Sequence, residues 1–384
     1  MPTVRVRVPA RSQKYEIKVG AGLLRTLGDE LRAAVSAEAR TVALISNKIV
    51  FDLYGGVATE SLRSADFRVK HLLISEGESS KSFRSFERAV AFLAENGLQR
   101  NDVVVALGGG VVGDIAGFAA ATYLRGIAFV QAPTTLLAQI DASVGGKTGI
   151  NLPSGKNLVG VFHQPRLVLV DVATLQSLPR RELTAGLCEM VKQGAVGDRK
   201  LFDRTVRLLR RCGTNFSLCL EQEDSQTEVC ATIAAHCRFK ASIVAGDERE
   251  NISRTDARSR RVLNFGHTAA HALEKVTRYR RFRHGEAVGY GMLVAGEISK
   301  SLGMLPSREL ELLRHAVRAC GKLPRADDID PDEVMRATRS DKKSIAGKIN
   351  WVLLERLGRP RIVDGQQIDR QTLLAGLQAG LQKP

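Results

Sequence analysis

Continuous hydrophobic runs, separated by segments of helix length, mark the first half of the chain. Five of these runs are rich in β-branched residues and hold four to six apolar positions in a row. Such runs are typical of strands that are buried on both faces of a parallel sheet. Residues 1–20 alternate like a further strand. The five strand candidates are residues 41–46, 67–75, 102–110, 127–133 and 166–172.

Beyond residue 178 the pattern changes to long stretches rich in leucine, alanine and arginine, which predict helices. The clearest helical stretches are residues 201–212, 227–244 and 308–320, and a strand-like segment follows at 348–354. With 384 residues, the chain is also too long for one comfortable core. We therefore predict an α/β fold: an N-terminal Rossmann-like parallel-sheet domain, residues 1–178, followed by a mainly α-helical C-terminal domain, residues 179–384.

The charge balance admits two kinds of partner. The chain has 57 Lys and Arg against 41 Asp and Glu, a net charge of +16. This excess suits a nucleic-acid or membrane surface, or a basic pocket for anionic metabolites. The cations are scattered, and aromatic residues make up only 5% of the chain, so a basic stripe interleaved with aromatics is missing. We expect a small anionic molecule as partner and no nucleic acid.

Targeting and membrane-spanning segments are not expected. The N-terminus lacks the apolar core of a signal peptide. The most apolar stretch, residues 103–133, is broken by Asp114 and Arg125, whereas a span needs about 20 nearly uncharged residues. The six cysteines show no CxxC spacing and predict reduced thiols of a cytoplasmic protein. The polar segment 251–259 predicts an exposed loop.

A glycine-rich turn, Gly108 to Gly110, follows the third strand candidate. Glycines at this place let the backbone approach a pyrophosphate, and the next helix offers free N–H groups. The letters satisfy GxGxxG, but the motif lies far along the chain, and no acidic residue follows about 20 positions later. We predict a nucleotide site of a non-standard kind, with Asp114 capping the turn. A plain strand-to-helix turn is the alternative.

A second glycine-rich region holds Lys147, Lys156 and Asn157. Its GGKTG segment is similar to a P-loop, yet the spacing GxxxxGK[ST] is absent. Two lysines and an amide on flexible turns suit a phosphate group. Solvated loop lysines are the alternative.

The strongest local signal is a group of three histidines, His267, His271 and His284, within eighteen positions. His267 and His271 are one helical turn apart, as in HExxH zinc sites. Imidazoles with one carboxylate leave a coordination position open, as in catalytic zinc sites. Glu189 and Lys192 share a helix face among apolar neighbours, where an unpaired charge is costly. Helix-packing histidines and a plain ion pair are the alternatives.

Seven sequence blocks, found in the same order, resemble the signature of the dehydroquinate synthase family. They extend from about residue 76 to residue 292, with a further match at residues 341–343. The combination is specific, although no single block is. The blocks are GGGVVGDIAGF, ATYLRGI, APTTLLAQIDASVGGKTGINLPSGKNLVG, LPRREL, CEMVKQG, LNFGHTAAHALE and HGEAVGYGM.

The resemblance implies an enzyme, a phosphorus–oxygen lyase that depends on NAD and Zn²⁺, with Co²⁺ as a substitute. It would convert 3-deoxy-D-arabino-heptulosonate 7-phosphate to 3-dehydroquinate and phosphate, in the shikimate pathway to chorismate and the aromatic amino acids. The family also implies a homodimer. Two alternatives remain: a related cyclase of the amino-dehydroquinate or valiolone type, or a metal-dependent polyol or glycerol dehydrogenase.

The resemblance also implies roles for individual residues, carried over where the motifs match. The implied metal ligands are Glu189, His267 and His284, with His271 in the substrate pocket. The implied cofactor contacts are Glu78, Lys81, Gly109, Gly110, Asp114, Thr134, Thr135, Asp141, Lys147, Lys156, Thr174 and Ser177. The implied catalytic and substrate residues are Arg125, Asp141, Lys147, Asn157, Lys192, Lys240, Arg260, Asn264, His271 and Lys343.

Within that set, Lys240 and Arg260 are expected to hold the substrate carboxylate, because arginine geometry suits a carboxylate. The residues expected to hold the phosphate are Lys147, Asn157, His271, Lys343 and Arg125, the last from the same or a neighbouring subunit. This chain departs from the family pattern by a few extra residues between Asp247 and Arg260. Phe265 and Cys188 also replace the usual leucine and alanine, without removing a functional group.

Overall fold

A computed structural model describes residues 14–213, 215–339 and 349–382 of the chain. The predicted site residue Lys343 lies outside the described residues. Residues 1–13 of the predicted N-terminal strand also lie outside the described residues.

Six parallel strands form the sheet of the first half, in the order β1-β8-β5-β4-β2-β3. All five strand candidates lie in this sheet, which confirms the predicted parallel-sheet fold. The late strand-like segment is also confirmed, in a two-stranded antiparallel sheet of β9 and β10. The strands are β1 Glu16–Gly20, β2 Thr41–Asn47, β3 Arg68–Ile74, β4 Val103–Gly108, β5 Ala128–Pro133, β6 Lys147–Leu152, β7 Gly155–Phe162, β8 Leu167–Asp171, β9 Asn350–Arg356 and β10 Arg359–Asp364.

Five helices belong to the first half and nine to the second, within the described ranges. The three predicted helical stretches are confirmed as α7, α9 and α12. The helices are α1 Leu27–Ala34, α2 Lys48–Val50, α3 Gly56–Ser64, α4 Phe83–Glu95, α5 Gly110–Thr122, α6 Arg180–Gly197, α7 Arg199–Cys212, α8 Phe216–Glu221, α9 Glu223–Gly246, α10 His267–Val276, α11 His284–Ser301, α12 Ser307–Ala319, α13 Pro331–Arg339 and α14 Arg370–Gly380.

The continuous apolar strands are explained by helices on both faces of the sheet. Alternate side chains of a strand point to opposite faces. Val42 and Leu44 of β2 therefore pack with α1 and α3, whereas Ala43 and Ile45 pack with α4 and α5. In the second half, α11 is buried along nearly its whole length and packs against α6, α10 and α14. A helix that is apolar all round lies at the centre of a helical layer.

The strand order places a ligand crevice between β2 and β4. Strand β3 pairs with β2 at one edge of the sheet. The chain then crosses back to β4, which pairs with the other side of β2. Loops that leave the carboxyl ends of two such strands diverge, and ligands of open α/β sheets bind in the crevice between them. Strand β8 ends at Asp171 and α6 begins at Arg180. The domain boundary near residue 178 stays a prediction.

The region of Lys147 and Asn157, expected to form flexible turns, is instead the antiparallel hairpin β6–β7. The expectation was wrong because glycine disfavours strands in general, whereas here it allows two strands to come close together. Gly149 lies opposite Gly160. A Cβ atom on Gly149 would lie 2.4 Å from the Val159 carbonyl oxygen, and one on Gly160 would lie 2.1 Å from that of Thr148.

The expectation that all cysteines are reduced was also wrong. Cys212 at the end of α7 and Cys219 in α8 form a disulfide, with 5.5 Å between their Cα atoms. The turn between the two helices brings them together, although their seven-residue separation matches no common motif. The other four cysteines carry free thiols. Among the described residues, no helix is long and apolar enough to cross a membrane.

The predicted loop 251–259 is exposed apart from Arg254, which is partly covered, and Ser259, which is buried. Both ends of the loop are fixed on one carboxylate. The Asn251 backbone N–H donates to Asp247 Oδ1 at 2.7 Å, and the Arg260 backbone N–H donates to Oδ2 at 2.8 Å. The two ends are therefore close enough in space to be joined by a short bridge.

Replacement of residues 252–258 by two glycines is expected to shift the melting temperature by less than about 2 °C, because the removed side chains are mostly exposed. Differential scanning calorimetry measures this. Asp247→Ala is the control and is expected to cost about 1–3 kcal/mol, because the buried Arg260 N–H and the partly buried Asn251 N–H lose their acceptor. A large drop for the shortened loop would show that the segment packs.

Candidate active site

The glycine turn after β4 forms the floor of the crevice. Gly109 is the N-cap of α5, and no side chain caps this helix. A Cβ atom on Gly109 would lie 3.1 Å from Thr135 Cγ2, so the turns after β4 and β5 pack tightly. The Thr134 backbone N–H donates to the Gly108 carbonyl at 3.0 Å. The first N–H groups of α5 consequently face the crevice, as an anion site requires.

The interpretation of Asp114 as the cap of this turn was wrong. Asp114 lies in the second turn of α5, and its carboxylate forms an ion pair with the buried Lys81. Burial raises the pKa of Asp114, and the Lys81 charge opposes that rise. Lys81 also donates to the side-chain oxygen of Asn157 on the hairpin. Glu78 is exposed and accepts from Asn151 at 2.7 Å.

Asp114→Ala is expected to weaken NAD binding about ten-fold or more, roughly 1.4 kcal/mol, because Lys81 loses its counter-charge beside the glycine turn. Isothermal titration calorimetry with NAD measures the change. Asp203→Ala, which breaks the exposed Arg199–Asp203 pair, is the control and should bind like the parent. An unaltered affinity in Asp114→Ala would place the cofactor elsewhere.

The turn after β8 supplies the predicted cofactor residues Thr174 and Ser177. Thr174 Oγ1 donates to the Asp171 carbonyl at 2.7 Å and accepts from Gln139 Nε2 at 3.1 Å. Ser177 Oγ lies 2.5 Å from the Tyr54 hydroxyl. Sequence reasoning missed Gln139 and Tyr54, because their partners lie 35 and 123 residues away.

Asp141, Lys192 and Lys240 form a charged cluster where the helical half meets the sheet. A π-helical turn, Ala138–Ala142, carries Asp141, which forms an ion pair with Lys240 of α9. Burial alone would raise the pKa of Asp141, but the charges of Lys240 and Lys192 hold it well below its usual range. Burial lowers the pKa of Lys240, and Asp141 opposes that shift. Asp141 is therefore an anion at neutral pH.

Glu189, His267 and His284 form a compact group whose potential ligand atoms all lie within 4.8 Å of one another. Glu189 Oε1 lies 3.9 Å from His267 Nε2 and 3.7 Å from His284 Nε2. Tetrahedral zinc with bonds of about 2.0–2.1 Å places its ligand atoms roughly 3.3 Å apart, so small movements would suffice. His267 Nδ1 lies 3.2 Å from the Phe265 carbonyl, which leaves Nε2 for a metal.

Glu189 supplies the test of whether a cation fits. Its side chain is fully buried, and Oε1, the oxygen that faces both histidines, accepts no hydrogen bond within the described ranges. The Lys192 ammonium lies 2.6 Å from the other oxygen, Oε2, and satisfies that side of the carboxylate. A buried carboxylate in this state is costly unless a cation occupies the space before it. Burial and the nearby Lys192 charge hold the pKa of His267 well below its usual range, so its imidazole is neutral.

His271 lies one turn along α10 from His267, and their ring centroids are 5.4 Å apart. It belongs to a second possible ligand group with Glu274 and His284. Glu274 is buried and was missed by sequence reasoning. The signal for it was its position seven residues after His267, two turns along the same helix face.

Arg260 lies next to the Gly145 turn that precedes β6 and is only 3% exposed. Its guanidinium donates to the carbonyls of Glu248, at 2.6 Å, and Gly145. Burial lowers the pKa of Arg260. Nearby, Lys147 pairs with Glu250, which also accepts from Asn264 Nδ2 at 3.2 Å. Sequence reasoning missed Glu250, which lies among the predicted substrate residues.

Arg125 lies away from the other predicted site residues within one chain. It precedes β5, whereas Thr134 follows the same strand, so the strand separates them by roughly 20 Å at about 3.3 Å per residue. Arg125 lines a cavity of about 640 Å³ near the amino ends of β5 and β8, together with Arg100 and Arg166. A role for Arg125 in the same subunit's site is therefore not supported.

Two family models cover most of the chain. Residues 71–185 match 3-dehydroquinate synthase N-terminal, and residues 186–344 match 3-dehydroquinate synthase C-terminal. The chain belongs to the 3-dehydroquinate synthase family. A 3-dehydroquinate synthase of Pelotomaculum thermopropionicum is 43% identical over 99% of this chain and 97% of that protein. Membership of the 3-dehydroquinate synthase family confirms the resemblance found in the sequence blocks.

Solved structures show the same architecture. The 2-epi-5-epi-valiolone synthase of Streptomyces hygroscopicus subsp. jinggangensis 5008, with NAD⁺ and Zn²⁺ bound, is 28% identical, with a TM-score of 0.83 over 97% of this chain and 98% of that chain. A 2-deoxy-scyllo-inosose synthase in complex with carbaglucose-6-phosphate, NAD⁺ and Co²⁺ is 24% identical. Its TM-score is 0.79 over 96% of this chain and 97% of that chain, a likeness of fold.

Proposed function

We propose that this protein converts 3-deoxy-D-arabino-heptulosonate 7-phosphate to 3-dehydroquinate and phosphate, as its family does. The observation that supports the proposal is the position of the group Glu189, His267 and His284 beside buried cations. Lys192 contacts Glu189 directly, and Lys240 joins the same cluster through Asp141. A possible metal site next to so many cations suits a substrate that carries hydroxyl groups and several negative charges.

We propose Zn²⁺ on Glu189, His267 and His284, and NAD over the glycine turn with Lys81 and Asp114. The valiolone synthase, which shares the fold, holds both Zn²⁺ and NAD⁺. When bound, the ion would lower the pKa of a substrate hydroxyl, and the nicotinamide would take a hydride from the substrate and return it before product release, so that NAD is not consumed. Co²⁺ is proposed as a substitute, because imidazole and carboxylate ligands accept either ion.

The residues of this chain would orient and neutralise the substrate. Lys240 and Arg260 are proposed to hold its carboxylate, and Asp141 fixes the position of Lys240. Lys147, Asn157 and His271 are proposed to hold the phosphate. Lys343, which lies outside the described residues, is proposed to join them. Arg125 is proposed to reach the phosphate of the partner subunit, because within its own chain it lies at the amino end of β5, at the opposite end of the strand from the crevice. The active form is then a homodimer, proposed to be cytoplasmic.

A phosphate-release assay tests the proposal. The purified protein, with added Zn²⁺ and NAD far below the substrate concentration, is given the heptulosonate phosphate, and phosphate and NADH are followed together. Phosphate should appear in many-fold excess over NAD while NADH absorbance stays flat. Accumulation of NADH with glycerol, without release of phosphate from the heptulosonate phosphate, would favour a polyol dehydrogenase instead.

A further inference from the structure

Glu274 is placed between a proposed metal ligand and the hairpin β6–β7. It lies on α10 and is 3% exposed. One carboxylate oxygen, Oε2, lies 3.4 Å from His284 Nδ1, and the other, Oε1, accepts from Lys156 Nζ at 3.2 Å. Both oxygens therefore have partners: Oε2 faces α11 of the helical half, and Oε1 faces the hairpin of the sheet half.

The two nitrogens of His284 face different carboxylates. Nε2 points to Glu189 and Nδ1 points to Glu274. An imidazole that donates its Nδ1–H to a carboxylate presents the lone pair of Nε2, and an outer partner of this kind also fixes the plane of the ring. His267 has the same arrangement, with a backbone carbonyl in place of the carboxylate.

We infer that Glu274 is a positioning residue for the metal centre: it holds His284 in the orientation and tautomer that direct Nε2 towards the ion shared with Glu189 and His267. The inference deepens the proposed function and rests on its metal site. Lys156 holds Glu274 in place from the hairpin, so a residue of the sheet half supports the geometry of a ligand in the helical half.

A competing arrangement would make Glu274 itself a ligand, together with His271 and His284. The two carboxylates differ in a way that argues against this. Both oxygens of Glu274 already have partners, whereas Oε1 of Glu189 accepts no hydrogen bond from the described residues. The buried carboxylate oxygen that lacks a hydrogen bond is the one that a cation would stabilise most.

The test measures Zn²⁺ affinity by competition with a chromogenic chelator, on the full chain. Glu274→Gln should bind Zn²⁺ about 10–100-fold more weakly, as is typical when an outer partner of a histidine ligand is lost. The visible absorption of the Co²⁺-loaded protein should change shape as well, because it reports the geometry of the ligands. Glu297→Gln is the matched control, since Glu297 lies on the same helix as His284 and pairs with Arg314 at 2.6 Å. It should bind Zn²⁺ like the parent.

The double variant Glu274→Gln with Lys156→Gln is a control for misfolding, because it removes both charges of the ion pair together and leaves neither unpaired. It should show the same weakened Zn²⁺ binding, whereas Lys156→Gln alone should stay within about three-fold of the parent, since His284 keeps its carboxylate. Unchanged Zn²⁺ affinity and Co²⁺ spectrum in folded Glu274→Gln would overturn the inference. Complete loss of metal in Glu274→Gln, with full retention in Glu189→Gln, would also overturn it by making Glu274 a ligand. Failure of the parent chain to bind Zn²⁺ would instead contradict the proposed metal centre.

Discussion

Glu189→Gln is expected to lose its bound metal and to turn over at least about 1,000-fold more slowly. The substitution keeps the shape of the side chain but removes the negative charge that faces His267 and His284. Loss of a ligand should weaken metal binding by more than the 10–100-fold typical of an outer partner. Loss of the ion removes several kcal/mol of charge stabilisation, and each 1.36 kcal/mol is a factor of ten in rate. Elemental analysis after dialysis and the phosphate-release assay measure the two effects.

His284→Ala should lose both metal and turnover, like Glu189→Gln. The variant His271→Ala distinguishes a metal ligand from a substrate residue. His271→Ala should keep its metal and lose turnover by roughly 10–100-fold, the cost of one hydrogen bond to a charged group at about 1.5–3 kcal/mol. A metal-free His271→Ala protein would return His271 to the ligand set and would favour the second possible group, with Glu274 and His284.

The second large effect concerns the substrate carboxylate. The heptulosonate phosphate should exceed a neutral heptulose phosphate in kcat/KM by at least about 100-fold. Lys240 and Arg260 are buried cations whose pKa values burial lowers, so an incoming carboxylate would supply a counter-charge that a neutral sugar cannot. Two hydrogen bonds to charged groups, at about 1.5–3 kcal/mol each, give a preference of this size.

Arg260→Gln is the informative variant for that preference. It should reduce the ratio of the two kcat/KM values by about ten-fold, because one of the two charged contacts is lost. Equal or better turnover of the neutral sugar by the parent enzyme would contradict the assignment of the substrate and leave the fold and the metal site intact. An amino analogue of the substrate retains the carboxylate, so it must be compared separately.

The sequence predicted the sheet well because its strands are buried on both faces. Such strands need continuous apolar runs rich in β-branched residues, and β2, β4 and β8 have them. The histidines were predicted because one turn of α10 separates His267 from His271, and a helix places such residues on one face. In both cases the physical cause is local in the chain.

Contacts between distant parts of the chain could not be predicted in the same way. Glu274 meets Lys156 across 118 residues, and Glu250 meets Lys147 across 103. No spacing in the sequence encodes such pairs, because they depend on how the hairpin lies against the helical half. Asp114 was assigned the wrong role for the same reason: its partner, Lys81, lies on a different element.

The facing glycines of the hairpin limit how this protein can evolve. At Gly149 and at Gly160 an added methyl group would meet the carbonyl oxygen or the Cα atom of the other strand, not a side chain. A clash with a side chain can be relieved by a smaller residue at a second position, but a clash with the main chain cannot. Each glycine is therefore required, because no substitution elsewhere can remove the backbone atoms that a side chain would meet. Lineages that vary elsewhere in the hairpin should keep both glycines together, and a library randomised at these two positions should return only the original pair.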